Sequence, residues 1–414
     1  MKFFINSYFG DNQSIGLLSH IKKRLPYGMD DQWMVFSHYT ERGWTVDNLW
    51  HIFTDFYGGQ YAPLAFLSYL VLYAGFGYDP FYFHMFSLLL HIGCVCLVWK
   101  LISSLLRVHG GVSEKQILYV NFITTLLFAV HPINVEAVAW ISALKVLLYA
   151  FFYLLGLLCY LRYIRTSKIF YYVLTIGCFL CSFWGKEQAV TFPLALLIVD
   201  WFTNRNMKNL EVWSEKMSFL IMAFFFGIIT VLSQGKGPYE MIFPLYQRLL
   251  FGCFALVEYI TKSLLPVNLN FFYPFPIVLG EEPPLHYYLY PVVLLFLMGW
   301  IIAYRNNRYL VFGVLLFLVN LLFSIHLFNM SRHAIVADRY MYLSYVGIAF
   351  LIANGIWWLR KRLSYFKAAL VFLFFYCFFL SVYTFHYTKK RENTTMVKKY
   401  TKEVLEKRLN GSNH

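Results

Sequence analysis

Five groups of polar residues have the types and spacing that acid–base or phosphate chemistry requires. In chain order they are Asp30-Asp31; His84 with His91; His131 with Glu136 and Lys145; Lys186-Glu187; and Arg332 with Asp338-Arg339. A carboxylate can take the proton of a reacting hydroxyl. Arg and Lys can hold a phosphate while negative charge grows on it. The five groups together therefore suggest transfer from a phosphate-bearing donor.

Each group also has an ordinary structural interpretation. Adjacent aspartates after Pro26-Tyr27-Gly28 are typical of a solvated turn. His84 and His91 share one helical face, and such histidines are more often hydrogen-bonded within a bundle than bound to a metal. Lys186-Glu187 fits an interface ion pair, and Arg339 fits an ion pair with Asp338 or Glu187 that only holds a loop.

The composition indicates the environment in which these groups lie. Of 414 residues, 59% are hydrophobic and 14% are charged, and the mean hydropathy is +0.55. Soluble domains carry roughly 25% charged residues. The chain is therefore predicted to be an all-α, polytopic membrane bundle, which excludes a soluble enzyme and a disulfide-stapled fold. The seven cysteines lie in apolar runs and are expected to be buried free thiols.

Ten apolar segments are predicted to span the membrane. They are 80–104, 116–131, 145–161, 169–184, 188–203, 217–233, 286–303, 309–327, 341–358 and 367–385. The loops after residues 104, 161, 203, 303 and 358 hold fourteen Lys and Arg, against seven in the short loops opposite. The positive-inside rule makes the richer side cytoplasmic. Segments 61–77 and 246–265 then become interfacial helices on the external side.

The same orientation places all five polar groups on the external face. We expect an external N-terminal region over 1–78, a membrane bundle over 79–385 and an external basic tail over 386–414. The net charge of +14 is attributed to loop anchors rather than to nucleic acid, because no nucleic-acid motif is present. Charges converging at membrane depth are expensive and usually functional.

At these motifs the chain resembles the transmembrane O-mannosyltransferases, multi-pass enzymes that often carry tetratricopeptide repeats, and their bacterial relatives. The resemblance lies in Leu127–Trp140, with its His-Pro and Glu-Ala-Val; in Lys186-Glu187-Gln188 through Pro193 to Asp200; in Ala337–Leu343; and in Asp30-Asp31. It covers roughly 27–385. Ala62-Pro63 stands where the family has Arg-Pro, and Leu144-Lys145-Val146 replaces an Arg-Lys-Asp-like run. The family's first spanning helix and its repeats are expected to be missing.

The resemblance implies a GT-C fold and an inverting transfer from a polyprenyl-phosphate sugar to a Ser or Thr hydroxyl of a protein. In that interpretation Asp30 is the base, with Asp31 second, and Arg339, Arg332 and Lys186 hold the donor phosphate. Substrate contacts are expected from His131, Glu136, Lys145, Glu187, Asp338 and His84. No cofactor is implied, and a divalent metal is possible but unsupported, because a carboxylate pair offers fewer oxygens than hard cations prefer.

The implied partners are the sugar donor, an acceptor protein, the lipid bilayer and subunits of a membrane complex. The implied location is a bacterial inner membrane with a periplasmic site, or an endoplasmic reticulum membrane with a lumenal site. Two other classes stay open. An inactive or truncated relative acting as a complex subunit is favoured by the missing first helix. A lipid transporter or flippase would show polar mid-membrane faces or inverted repeats.

Overall fold

The computed structural model describes residues 31–234, 243–270, 273–326 and 334–391. The helices are α1 Asp31–Met34, α2 His38–Glu41, α3 Val46–Thr54, α4 Pro63–Phe76, α5 Pro80–His109, α6 Glu114–Val130, α7 Val135–Ala139, α8 Leu144–Thr166, α9 Ile169–Gly185, α10 Phe192–Phe202, α11 Leu210–Gln234, α12 Leu245–Leu264, α13 Leu289–Ala303, α14 Arg308–Leu321, α15 Met341–Trp358 and α16 Leu363–Arg391. Two short strands, β1 Tyr273–Pro274 and β2 Ala334–Val336, pair antiparallel. The predicted all-α helical bundle is confirmed.

Short 3₁₀ helices interrupt or extend several of these helices. They are Pro132–Asn134, Ile141–Ala143, Glu187–Thr191, Leu285–Tyr288, Asp338–Tyr340 and Leu359–Lys361. Five of the six lie between apolar helices at the same end of the bundle as the predicted polar groups. Irregular backbone at membrane depth is tolerated only where protein or water satisfies its polar groups. The interruptions are therefore concentrated at the end of the bundle that carries the predicted polar groups.

Fewer helices are long enough to cross a membrane than the ten predicted. Among the described residues, six helices have the length and apolarity of a span, and a bent pair, α6 with Pro132–Ala139, makes a seventh. Segments predicted at 116–131, 169–184, 188–203 and 309–327 form helices of 17, 17, 11 and 14 residues. The first two helices are as long as their predicted segments, which were already short for a span. The last two are shorter, because their apolar runs continue into turns where the chain leaves the α-helix. Segments 61–77 and 246–265 are also helical, as α4 and α12.

The connections between helices gather at two ends of the bundle. The basic end holds the connections 110–113, 167–168, 203–209, 304–307 and 359–362. The motif end holds 131–143, 186–191, 265–288 and 334–340. Helix α13 has no buried residue, and α16 exposes most of its phenylalanines. Such outward apolar faces are typical of helices in contact with lipid, since nothing polar covers them.

Helix α8 lies at the centre of the bundle and is the most enclosed of the long helices. Its backbone touches α9 closely, because a Cβ at Gly185 would lie 2.7 Å from the Tyr149 amide nitrogen. Helices α14 and α15 meet in the same way at Gly313 and Gly347. Small residues allow such close approach where no water drives association. All seven cysteines are free thiols, as expected, but only Cys94 and Cys178 are buried. Four others are partly buried and Cys96 is exposed, so the expected burial of all seven was wrong.

An ionic cluster with a fully buried centre joins three helices at the basic end. Lys216 Nζ lies 2.5 Å from Asp200 and 3.0 Å from Glu215. Arg205 lies 3.1 Å from Asp200 and 2.6 Å from Glu215, and Tyr160 donates to the Asp200 carboxylate at 2.8 Å. Two acids and two cations make this Asp200 cluster neutral. It joins α8, α10 and α11, and the Asp200 and Lys216 side chains have no exposed area.

The first test concerns orientation. A cysteine replacing Glu281 at the motif end should react with an impermeant thiol reagent added to intact cells. A cysteine replacing Ser167 at the basic end should react only after permeabilisation, since the charge bias places that loop inside. Both positions are exposed to solvent. The parent chain, with its seven native cysteines, gives the background, and the opposite pattern of labelling would reverse the orientation.

The second test concerns the Asp200 cluster. Asp200→Asn leaves the Lys216 ammonium buried beside a neutral group, and breaking such a pair typically costs about 3–5 kcal/mol. We expect a clear fall in the unfolding temperature of the detergent-solubilised protein. Arg107→Gln removes the exposed Arg107–Glu114 pair and serves as the control, with an expected cost below about 1 kcal/mol. Equal losses in both variants would contradict a structural role for the cluster.

Candidate functional site

The site begins where α6 is interrupted. Pro132 lacks a backbone N–H and disfavours helix at the preceding residue, and His131 is accordingly extended. The His131 Nδ1 atom accepts from the Ile133 amide at 3.2 Å and caps the following turn. The chain then continues into α7 at an angle of 50° to α6. This bend carries Glu136 into the bundle, where only 2% of its side chain is exposed.

Glu136 binds Arg339 through both of its carboxylate oxygens. Oε1 lies 2.7 Å from Nη1 of the guanidinium, and Oε2 accepts from the Arg339 backbone N–H at 2.7 Å. The two residues are 203 positions apart. The ion pair of Arg339 is therefore with Glu136, and not with Asp338 or Glu187 as the sequence also allowed. Glu136, expected to contact substrate, fixes both the backbone and the side chain of Arg339.

The guanidinium of Arg339 is surrounded by aromatic rings. It lies 5.3 Å from the Trp140 ring centre and 5.1 Å from that of Tyr340. Lys186 Nζ lies 5.5 Å from the same Tyr340 ring and 3.3 Å from Glu187. Two of the cations predicted to hold a phosphate therefore face one ring. Each is paired with a carboxylate, and 23% of the Arg339 side chain remains exposed.

Asp338 faces away from Arg339 into a buried cluster of phenols. Its oxygens accept from the Tyr273 hydroxyl at 3.0 Å and from the Tyr387 hydroxyl at 3.3 Å. Burial, followed by the nearby Asp338 charge, raises the pKa of Tyr273 well above its usual value, so this phenol stays a donor at neutral pH. Lys262 lies 4.7 Å from the centre of the Tyr273 ring. The Asp338 carboxylate thus anchors the turn that carries Arg339.

Tyr273, Tyr387 and Lys262 are members of the site that the sequence motifs do not include. Tyr273 lies in the connection between the predicted segments 246–265 and 286–303, and its place on the external side was the signal available in the sequence. Tyr387 lies beyond the boundary expected at residue 385, because α16 continues without a break to Arg391. Its place on the helix brings it to Asp338 through long-range packing that no local pattern reveals.

The acidic motif docks on the turn that precedes α8. Asp31 Oδ1 accepts from the Ser142 amide at 3.0 Å and also from the Ser142 hydroxyl. The Lys145 ammonium donates to Gln60 and lies 3.7 Å from the Met34 sulfur. Both Asp31 and Lys145 are buried. Helix α1 is therefore held against the Ile141–Ala143 turn at both of its ends.

The remaining predicted residues are dispersed. His84 is half-buried on α5, and His91 on the same helix is hydrogen-bonded to the Tyr342 hydroxyl at 2.7 Å. Asp30 and Arg332 lie outside the described residues. Asp200 belongs to the same motif as Lys186 in sequence but lies at the basic end. No group of three or more His, Cys, Asp or Glu in the described ranges could hold a metal ion.

Comparison with curated proteins gives several relatives. Over 189 residues, 42% of this chain, the identity is 32% with protein O-mannosyl-transferase TMTC2 of Mus musculus and 33% with that of Homo sapiens. With human TMTC4 it is 31% over 167 residues, 35% of the chain. This chain is similar to protein O-mannosyl-transferases. The resemblance predicted from the motifs is confirmed.

The similarity to protein O-mannosyl-transferases covers part of each protein. The matched region is 21% of the length of TMTC2 and 22% of that of TMTC4, so the chain spans about a fifth of these relatives. No family model matches the chain, and no solved structure matches it. The contacts between side chains at the motif end are therefore known from the structure of this chain, and not from its relatives.

The Glu136–Arg339 pair provides a third test. In Glu136→Gln the amide NH₂ must face one of the two Arg339 donors, which removes that donor's acceptor and the negative charge beside the partly buried guanidinium. We expect a large fall in the unfolding temperature, corresponding to about 3–5 kcal/mol. Glu187→Gln affects a carboxylate whose side chain is 28% exposed, and its expected cost is below about 1 kcal/mol.

Unfolding followed in detergent by loss of native fluorescence would measure both variants. The double variant Glu136→Gln/Arg339→Gln removes both charges and should recover part of the loss, because no charge is then left buried alone. A Glu136→Gln protein as stable as the parent would contradict the anchoring role.

Proposed function

We propose that this chain is the membrane part of a glycosyltransferase that moves mannose from a polyprenyl-phosphate donor to a Ser or Thr hydroxyl of a protein. The reaction is inverting, the fold is of the GT-C type, and the site lies at the external face. The names of the relatives support the sugar and the protein acceptor. The arrangement of Arg339, Lys186 and Tyr340 at the motif end supports the phosphate donor.

The proposal rests on Arg339 and Lys186, which lie 5.1 Å and 5.5 Å from the centre of the Tyr340 ring. A polyprenyl phosphate gains negative charge as its bond to the sugar breaks. A planar guanidinium can meet two phosphate oxygens, and an ammonium adds a point charge. Both cations are supplied by interruptions at the ends of apolar helices, which is the level at which a lipid phosphate lies.

The transfer itself needs one base. The acceptor hydroxyl oxygen attacks the anomeric carbon, its proton passes to a carboxylate, and the bonding pair leaves with the polyprenyl phosphate. Asp31 accepts two hydrogen bonds from Ser142 on one oxygen, which occupies that oxygen and suits an anchor. Asp30, the neighbouring carboxylate, is therefore our first choice for the base, and Asp31 holds the acidic motif in place.

The external position of the site follows from charge. The connections at the basic end carry the excess of Lys and Arg, so the motif end faces away from the cytoplasm. In a bacterium this face is periplasmic, and in a eukaryote it is the lumen of the endoplasmic reticulum. Donor lipids then reach the site from the membrane, and acceptor proteins reach it from the aqueous side.

The fourth test measures transfer directly. Membranes containing the chain are supplied with radiolabelled polyprenyl-phosphate mannose, and label on protein is counted. Arg339→Lys keeps the charge but loses the two-oxygen geometry, so transfer should fall by about tenfold or more, and Arg339→Ala should nearly abolish it. Arg305→Ala removes an exposed cation at the basic end and should leave transfer unchanged.

Asp30→Asn in the same assay removes the base while keeping the shape, and transfer should fall by about 10²–10⁴-fold. Donor binding without any transfer by the parent chain would favour an inactive complex subunit. Movement of the lipid between leaflets without transfer would favour a flippase. Either result would overturn the proposed reaction, and normal donor binding by Arg339→Ala would end the phosphate assignment.

A further inference from the structure

Trp140 lies in the segment that joins the Glu136–Arg339 pair to the contact between Ser142 and Asp31. It follows α7, which carries Glu136, and precedes the Ile141–Ala143 turn, which carries Ser142. Its backbone is extended, with φ −93° and ψ 117°. Six residues from Glu136 to Ser142 span at most about 20 Å even when fully extended, and helical turns at either side shorten that distance. This short segment therefore limits the distance between the groups that are bound at its two ends.

The groups bound at those ends are the ones that the proposed reaction requires. Glu136 holds Arg339, the cation assigned to the donor phosphate. Ser142 holds Asp31, the neighbour of the proposed base. The indole of Trp140 itself lies 5.3 Å from the Arg339 guanidinium. Trp140 thus connects the phosphate side of the site with the carboxylate side.

An inverting transfer dictates what occupies the space between these sides. The acceptor oxygen must approach the anomeric carbon from the face opposite the departing phosphate, so the sugar ring lies between the base and the phosphate cations. A pyranose presents C–H bonds with partial positive charge on its faces, and an aromatic ring presents a negative face. An aromatic side chain in this place suits a sugar better than an aliphatic one.

We propose that Trp140 is the platform on which the transferred sugar ring packs. This inference rests on the proposed function, since it assumes a phosphate held at Arg339. Tyr340 is a poorer candidate, because Arg339 and Lys186 both address its ring, which places it on the phosphate side. The ordinary alternative is that Trp140 only stacks on Arg339 and holds the guanidinium in position.

Binding of two different lipids distinguishes a sugar platform from a support for Arg339. Binding of polyprenyl-phosphate mannose and of polyprenyl phosphate without sugar is measured on the purified full chain in lipid nanodiscs. Trp140→Ala and Trp140→Leu should weaken binding of the mannosylated lipid on the order of tenfold, with little change for the bare phosphate. Trp140→Phe keeps an aromatic face and should retain most of the affinity. Arg339→Ala should weaken both lipids.

Trp201→Ala is the matched control, because Trp201 stacks on Arg308 at the basic end, 4.8 Å from its guanidinium. It should change neither affinity. If Trp140→Leu weakens binding of both lipids equally and has a normal melting temperature, Trp140 only supports Arg339. That result would overturn this inference but not the proposed function. Unchanged binding would overturn it as well. A parent chain that binds neither lipid would instead overturn the proposed function.

Discussion

The carboxylate of Glu136, bound at once to the backbone and to the guanidinium of Arg339, is the interaction on which the motif end depends. It joins two places where helices are interrupted, the bend after α6 and the turn before α15. Each interruption leaves backbone groups without helical partners, and these are costly away from water. Because one buried carboxylate satisfies an amide and neutralises a cation, both interruptions can lie inside the bundle.

The two ends of the bundle use buried charge differently. In the Asp200 cluster, two acids, two cations and a phenol form one connected and neutral network, which is typical of a structural connection. Its Arg205 keeps 21% of its side chain exposed, so the two ends differ in connectivity rather than in burial. At the motif end the pairs are separate, so a ligand that displaces one partner breaks a single pair, whereas loss of one member of the Asp200 cluster disturbs several others.

Local patterns predicted much of the fold. Apolar runs gave the location of every long helix, because burial in lipid requires them, and His131-Pro132 correctly marked a helix end. The runs did not reveal that α10 has only 11 residues, since Ala189 and Val190 of the preceding 3₁₀ turn extend the same apolar run. Helix length depends there on backbone hydrogen bonding, which composition does not record.

The candidate site was predicted in outline but not in its pairings. The sequence indicated that Glu136, Lys186 and Arg339 lie at one end, which follows from counting spans. It gave no indication that Glu136 binds Arg339 across 203 positions, or that Tyr387 reaches Asp338. Asp200 belongs to the same motif as Lys186 but lies at the other end of α10, at the basic end, as the position of the predicted span 188–203 requires.

The short length of α9 has a consequence for the surrounding membrane. Its 17 residues rise about 25 Å, less than the roughly 30 Å of a hydrocarbon core. Its outward residues Ile169, Phe170 and Val173 are exposed, so lipid borders it directly, and it ends immediately before Lys186. A mismatch of this kind is relieved by local thinning of the bilayer. The polar headgroups are thereby drawn inward beside α9, toward the depth at which Lys186 meets Tyr340.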